Sequence, residues 1–393
     1  MGGFDYHKSG KNILVLDISS SSVGGMMIRK SKDGKAQIVA YHRTHSNFLL
    51  DINFDVFWRV TRAAALETIS RIRKDFPERP DAVFCVFSSP WYISQTRVMR
   101  VRREKPSEIT RGILKKLLDE EQKIFLERWK KGQSSLAGEL AYLERQYIKT
   151  ELNGYETKTP IGKTARTMRL EVYFSLGSKR VMDEIKSDLF KMFGDISLAF
   201  GSFPYVSYSI LSSVINVQDG LLLVDVSGEI TDISMMRRNS IEETVSFPEG
   251  KNLLLRKIGK NMNASPKEAY SLLNAYASGH LDNAEKEKIL ATIEEARGVW
   301  CEYFKKAMES MKENLPFPQN LFLVGSDGIG LKFIECVKGD YFSQFTLLGK
   351  PFLIQNISGQ SLSHYFDMSG YKGKNHDAFL MIESLYSANY NFH

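Results

Sequence analysis

The stretch LLLVDVSGEITDISMM, residues 221–236, opens as an apolar strand, carries one aspartate near its end, turns through Ser-Gly-Glu and resumes as a second apolar run. A carboxylate in a buried run is costly unless something holds it. A strand-end Asp before a tight Ser-Gly turn brings backbone N–H groups around an anion, and the carboxylate can hold a metal through water. The same order occurs in NILVLDISSSSVGG, residues 12–25, where Asp17 takes the place of Asp225, 225 − 17 = 208 residues upstream. Two such turns facing each other would clamp phosphates from both sides.

Working outward, the two halves repeat one plan. In the first, NILVLDI is followed by a hairpin turning at Asp33-Gly34, a helix from about Asp55 to Lys74, and AVFCVFS at 82–88. Phe57, Val60, Ala63, Leu66, Ile69 and Ile72 form that helix's apolar stripe. In the second, LLLVDV is followed by a hairpin turning at Arg238-Asn239, a helical region, and NLFLVG at 320–325. This is an internal duplication of a supersecondary unit. The expected class is α/β, a duplicated two-lobed fold with a small inserted α+β subdomain.

The boundaries follow. Residues 11–88 plus 201–220 form the first lobe, 89–200 the insertion, 221–247 plus 319–390 the second lobe, and 248–318 a helical subdomain. The insertion is expected to hold a basic helix, a strand pair around YIKTELNGYETKTPIG and ARTMRLEVYFS, and a helix VMDEIKSDLFKMFG.

A chain of 393 residues exceeds the usual size of one core. Cys85, Cys301 and Cys336 are far apart in sequence and fit no disulfide or metal spacing, which points to a reducing compartment. No segment reaches the roughly 18–20 apolar residues of a membrane span, and the start MGGFDY misses the myristoylation pattern at Tyr6. A cytoplasmic location is expected. The net charge is +7, and residues 97–131 carry twelve Lys or Arg against six Asp or Glu. Interleaved acids and the helical spacing of Ile109, Ile113, Leu117, Ile124 and Phe125 favour a solvated helix face over a patch for nucleic acid or anionic lipid, so no specific nucleic acid is expected.

The trio LDISSSSVG (16–24), VDVSGEITDI (224–233) and FLVGSDGIG (322–330) resembles the phosphate-one, phosphate-two and adenosine motifs of the actin, heat-shock chaperone and sugar-kinase superfamily, with its ribonuclease H-like fold. The insertion with ELNGYETKTPIGKTARTMRLEVYFSLGS is similar to that of the bacterial cell-division protein FtsA and the pilus assembly protein PilM, and DISSSSVG is especially PilM-like. The resemblance runs from Lys11 to about Tyr390. It implies ATP with Mg²⁺ as cofactor. Asp17 and Asp225 would orient the hydrated metal. Ser19, Ser20 and Ser21 would meet the β-phosphate, with Ser227, Gly228 and Thr231 on the far side. Gly325, Ser326 and Gly328 would let the backbone approach the adenosine, and Glu229 would position a hydrolytic water.

The departures matter too. Ser227 and Ser326 stand where the family has Gly, and a β-carbon is costly where backbone must approach a ligand. In AYSLL, Tyr270 and Leu273 replace the family's polar pair for ribose and base. SSPWYIS, residues 88–94, holds no acid where a small-molecule kinase of the superfamily would have its base. The given sequence ends with DAFLMIESLYSANYNFH, and direct membrane anchoring is not expected. The resemblance therefore implies an ATP-binding scaffold, at most a slow ATPase. Such a scaffold would sit on the membrane's inner face by gripping the cytoplasmic peptide of a membrane protein, in pilus assembly or cell division, with self-association left open. The alternatives are a nucleotide-free adaptor keeping only the fold, and a kinase.

Overall fold

The computed structural model describes residues 10–30, 35–46, 53–132, 139–215, 220–237, 240–311, 313, 316–325, 328–369 and 377–392. The expected turns at Asp33-Gly34 and Arg238-Asn239, the chain start and Ser326 lie outside these residues.

The first half runs β1 (Asn12–Ile18), β2 (Ser22–Lys30), β3 (Ala36–His45), α1 (Phe54–Asp75) and β4 (Ala82–Phe87). All seven residues of β1 are buried, because it pairs antiparallel with β2 and parallel with β4 and both its faces are covered. Asn53 caps α1 by accepting from the Asp55 N–H. The buried stripe of α1 is Phe57, Trp58, Thr61, Ala64, Ala65, Thr68, Ile69 and Ile72. It is rotated from the expected one: Ala63 is exposed, and Val60 and Leu66 sit at the margin.

The insertion follows as β5 (Tyr92–Glu108), α2 (Arg111–Gly132), β6 (Leu140–Leu152), β7 (Tyr155–Glu156) and β8 (Thr164–Ser178). Its four-stranded sheet has the order β5-β8-β6-β7, and Leu114 and Phe125 of α2, with Ile109 just before the helix, share a core with Leu170, Val172 and Phe174 of β8. The strand β5 is an addition to the sequence reading, which put only a basic helix here. Five cations between Arg97 and Lys105 mask the inward Met99 and Val101. The basic character is partly spent inside the module, where Arg97 bonds Glu121 of α2 at 2.9 Å.

The expected limits of the insertion are too wide. Helix α3 (Lys179–Phe193) buries Val181, Ile185 and Leu189 against the α1 side of the first sheet, and β9 (Ser197–Ser202) pairs in parallel with β4. Both belong to the first lobe. Helix α4 (Phe203–Val214) leads on to β10 (Leu221–Val226), β11 (Thr231–Arg237) and β12 (Ser240–Phe247). Next come α5 (Asn252–Met262), α6 (Pro266–Ala277), α7 (Asn283–Ser310), β13 (Asn320–Val324), α8 (Gly328–Ile334), α9 (Asp340–Ser343) and β14 (Leu353–Ile357). The chain closes with α10 (Gly359–Leu362), β15 (Phe366–Asp367) and α11 (Ala378–Ala388).

The large sheets have the orders β15-β3-β2-β1-β4-β9 and β12-β11-β10-β13-β14. The expectation that residues up to 390 stay in the second lobe is corrected by β15, which pairs with β3, while α11 packs on β1 and β2. Burial of Phe366, Leu380 and Met381 against the first sheet drives this return. Apolar residues of both sheets, α4 and α11 share one core, so α4 and α11 lie where the lobes join. A separate core holds α5, α6 and α7 on the second sheet around Trp300 and Phe304. Cys301 and Cys336, remote in sequence, come within hydrogen-bonding reach of each other. No described helix is long and apolar enough to cross a membrane.

Candidate functional site

The two Asp turns meet at the junction of the lobes. Ser19 Oγ lies 2.8 Å from Ser227 Oγ, and the Glu229 N–H donates to Ser20 Oγ at 2.9 Å. A Cβ at Gly228 would lie 2.1 Å from the Cβ of Ser21, so only glycine permits this approach. Ser19, Ser20, Ser227 and Glu229 are all buried. Each turn also closes on itself: the Ser19 N–H donates to Ser22 O, and the Ser227 N–H to Ile230 O. From below, Trp91 Nε1 donates to Ser19 O at 3.1 Å. From the other side the carbonyls of Ser227 and Gly228 accept from the N–H groups of Lys251 and Asn252.

The remaining expected residues are held as follows. Asp17, 0 % exposed, accepts from Arg43 Nη2 at 2.7 Å. The same guanidinium gives Nε to Asp377 at 2.6 Å and Nη1 to Ser22 Oγ at 2.8 Å. Register makes this reach possible, since Asp17, Gly24 and Arg43 stand side by side on β1, β2 and β3. A Cβ at Gly24 would come 2.6 Å from Arg43 Nη2, so the missing side chain is the channel through which the guanidinium crosses β2. Burial works against the charge on Arg43, but Asp377 and Asp17 outweigh it and hold the group protonated. Burial also raises Asp377, yet Arg43 prevails and its carboxyl sits below the usual range.

Glu383 on α11 is the residue the sequence reading missed. It is 0 % exposed, and neither carboxyl oxygen has a hydrogen-bond partner among the described residues. Burial, then the charge of Asp17, pushes its pKa well up. Burial raises Asp17 as well, while the guanidinium of Arg43 works in the other direction. Asp225, 3 % exposed, is a further charge felt by Glu383. The only sequence signal for Glu383 is its isolation in the apolar run AFLMIESL.

Glu229 accepts from Asn252 Nδ2 at 2.6 Å and Arg256 Nη2 at 2.5 Å, which ties its turn to α5. Thr231 donates to Glu249 O and accepts from Trp300 Nε1, facing the second core and not the turn's mouth. Gly325, with φ of 101°, packs beside Phe379, and Gly328 opens the seven-residue α8. Leu273 is buried in the second core, and Tyr270 is half exposed.

A carboxylate does stand near Ser89, contributed by the other lobe. Asp232 Oδ1 accepts from Ser89 Oγ at 2.8 Å and Ser246 Oγ at 2.5 Å, and its Oδ2 from the Tyr92 hydroxyl at 3.3 Å. Its accepting positions are taken by hydroxyls, so it is a structural acceptor.

This arrangement does not fit a triphosphate with magnesium. Arg43 already occupies Oδ2 of Asp17, leaving only Oδ1 without a hydrogen-bond partner among the described residues, and the two turns are in direct contact with no gap for phosphates between Ser21 and Gly228. Among the described residues no three acids, cysteines or histidines are placed to hold a metal ion.

No family model matches this sequence, and no curated protein does. Solved structures match strongly. One, described as "PilM-PilN type IV pilus biogenesis complex", superposes with a TM-score of 0.65 over 96 % of this chain and 99 % of that chain, at 11 % identity. The ethanolamine utilization protein EutJ from Carboxydothermus hydrogenoformans covers 96 % of this chain and 89 % of its own at 11 % identity and a TM-score of 0.47. This chain shares the fold of that pilus biogenesis structure, the actin-like α/β fold that the sequence leads one to expect.

Proposed function

We propose that this chain is an actin-like scaffold on the cytoplasmic face of a membrane, docking on the cytoplasmic segment of a membrane protein. One observation carries the reading: the likeness to the PilM–PilN pilus biogenesis structure spans essentially both chains at a TM-score of 0.65. That likeness favours a role like pilus assembly over one in cell division. The docking groove is expected beside the sheet β5-β8-β6-β7, as in the proteins this sequence resembles. Of the two nucleotide variants of this reading, the ATP-loaded switch and the adaptor that keeps only the fold, the direct contact of the two turns favours the adaptor.

The test uses synthetic peptides matching the cytoplasmic tails of single-span proteins encoded beside this gene. Fluorescence anisotropy should show one of them binding the full chain, with no ATP or Mg²⁺ required. If every such tail fails to bind, with and without ATP and Mg²⁺, docking is refuted.

A further inference from the structure

Phosphates and a metal bridge two lobes by neutralising the acids that face them and by accepting from the turns. Here side chains stand at Asp17 and between the two turns. The cation on Asp17 is Arg43, anchored from behind by Asp377 at the start of α11 and passing over Gly24. The acceptor for the second turn is Ser20 Oγ, which takes the Glu229 N–H, and Ser19 Oγ bonds Ser227 Oγ directly. A second interlobe tie runs from Ser89 and Tyr92 to Asp232. All these groups are buried or nearly so, with Arg43 at 15 % side-chain exposure.

We infer that this chain carries its own substitute for the nucleotide. Arg43 takes the position of the hydrated metal at Asp17, and Ser19 and Ser20 take that of the phosphate oxygens, so the lobes are latched shut without ligand. The inference rests on the adaptor reading of the site and is independent of which tail the scaffold docks.

Hydrogen exchange on the full chain tests it, with Mg²⁺ alone and with ATP and Mg²⁺ at millimolar concentration. In the unmodified protein the Glu229 amide should be protected with no ligand, and neither addition should change its protection or the Tm. The double substitution Ser19→Ala and Ser20→Ala removes two bonds, so Glu229 and its neighbours should exchange about tenfold faster. ATP with Mg²⁺ should not restore the protection. Arg43→Lys keeps the charge where Arg43→Ala could fail to fold, and it too should stay indifferent to Mg²⁺.

A ligand-dependent gain in Tm or protection in the unmodified chain overturns the inference. So does unchanged exchange in the serine double variant. Loss of tail binding with these results intact counts against the docking partner alone.

Discussion

Two rows of three residues, one in each lobe, occupy the same place in the duplicated sheet and are filled in opposite ways. In the first lobe the row across β1, β2 and β3 reads Asp17, Gly24, Arg43. In the second, across β10, β11 and β12, it reads Asp225, Asp232, Ser246. The offset that relates Asp17 to Asp225 also relates Gly24 to Asp232, since 24 + 208 = 232. The first row neutralises itself: the middle position is empty, and the outer guanidinium crosses it to the acid. The second row sets two acids on adjacent strands, and Asp232 is answered by hydroxyls from Ser246, Ser89 and Tyr92. Duplication preserved the backbone frame, and each lobe found its own way to keep a buried carboxylate tolerable. One is balanced by charge, the other by hydrogen bonds that reach across to the first lobe and the insertion.

The largest expected effect comes from removing the charge partner. Arg43→Ala leaves Asp17 and Asp377 buried without their cation and should cost about 3–5 kcal/mol in urea unfolding. A loss no larger than that of Ser246→Ala would mean that the two rows are held alike. Next is Glu144, another buried acid, which accepts from the hydroxyl and the amide of Ser202 at the end of β9. Burial pushes its pKa up to about 7. A carboxyl whose folded pKa is raised adds stability that is fully present below its unfolded value, near 4.5, and lost as pH rises through 7. Unfolding followed from pH 4.5 to 8 should show this loss, at most about 3 kcal/mol. Glu144→Gln should flatten it.

Filling the empty place in the first row sharpens the contrast further. Gly24→Ala sets a methyl against the Arg43 guanidinium and should destabilise by about 1–3 kcal/mol, detectable as a lower urea midpoint. Glu383→Met should do the reverse, because it removes a buried carboxyl with no hydrogen-bond partner among the described residues. A gain of about 1–3 kcal/mol is expected, and a loss would show that the Glu383 carboxyl is structurally used. Ser246→Ala, which leaves Asp232 with two hydroxyls, should cost only about 1 kcal/mol by the same measurement.

Much of the architecture was legible in the sequence. Runs such as NILVLDI and LLLVDV have no polar alternation because both faces of a central strand are covered, so they announce themselves. The strand β5 did not, since Arg97, Arg100, Arg102, Arg103 and Lys105 read as a charged surface and the pairing with β8 is a long-range event. The return of β15 to the first sheet was hidden for the same reason: two residues carry no periodicity, and β3 lies more than three hundred positions earlier. At the site, the positions of the two Ser turns that come into contact followed from the repeat. The partners Arg43, on β3, and Asp377 and Glu383, at the cap of α11 and within it, come from segments more than three hundred residues apart and left no local pattern.

By itself, then, the sequence determined where the strands end in acids, that the unit is repeated, and that Gly and Ser fill the turns. These are local matters of burial, propensity and backbone freedom. Only the tertiary structure decided what the acids face. Whether Asp17 meets a guanidinium or a metal depends on the register of β1, β2 and β3, and whether the turns stand apart or touch depends on how the lobes close over α4 and α11. A charge takes its meaning from the nearest opposite charge in space, and for Asp17 that is Arg43, 26 residues on along the chain and 2.7 Å away in the fold.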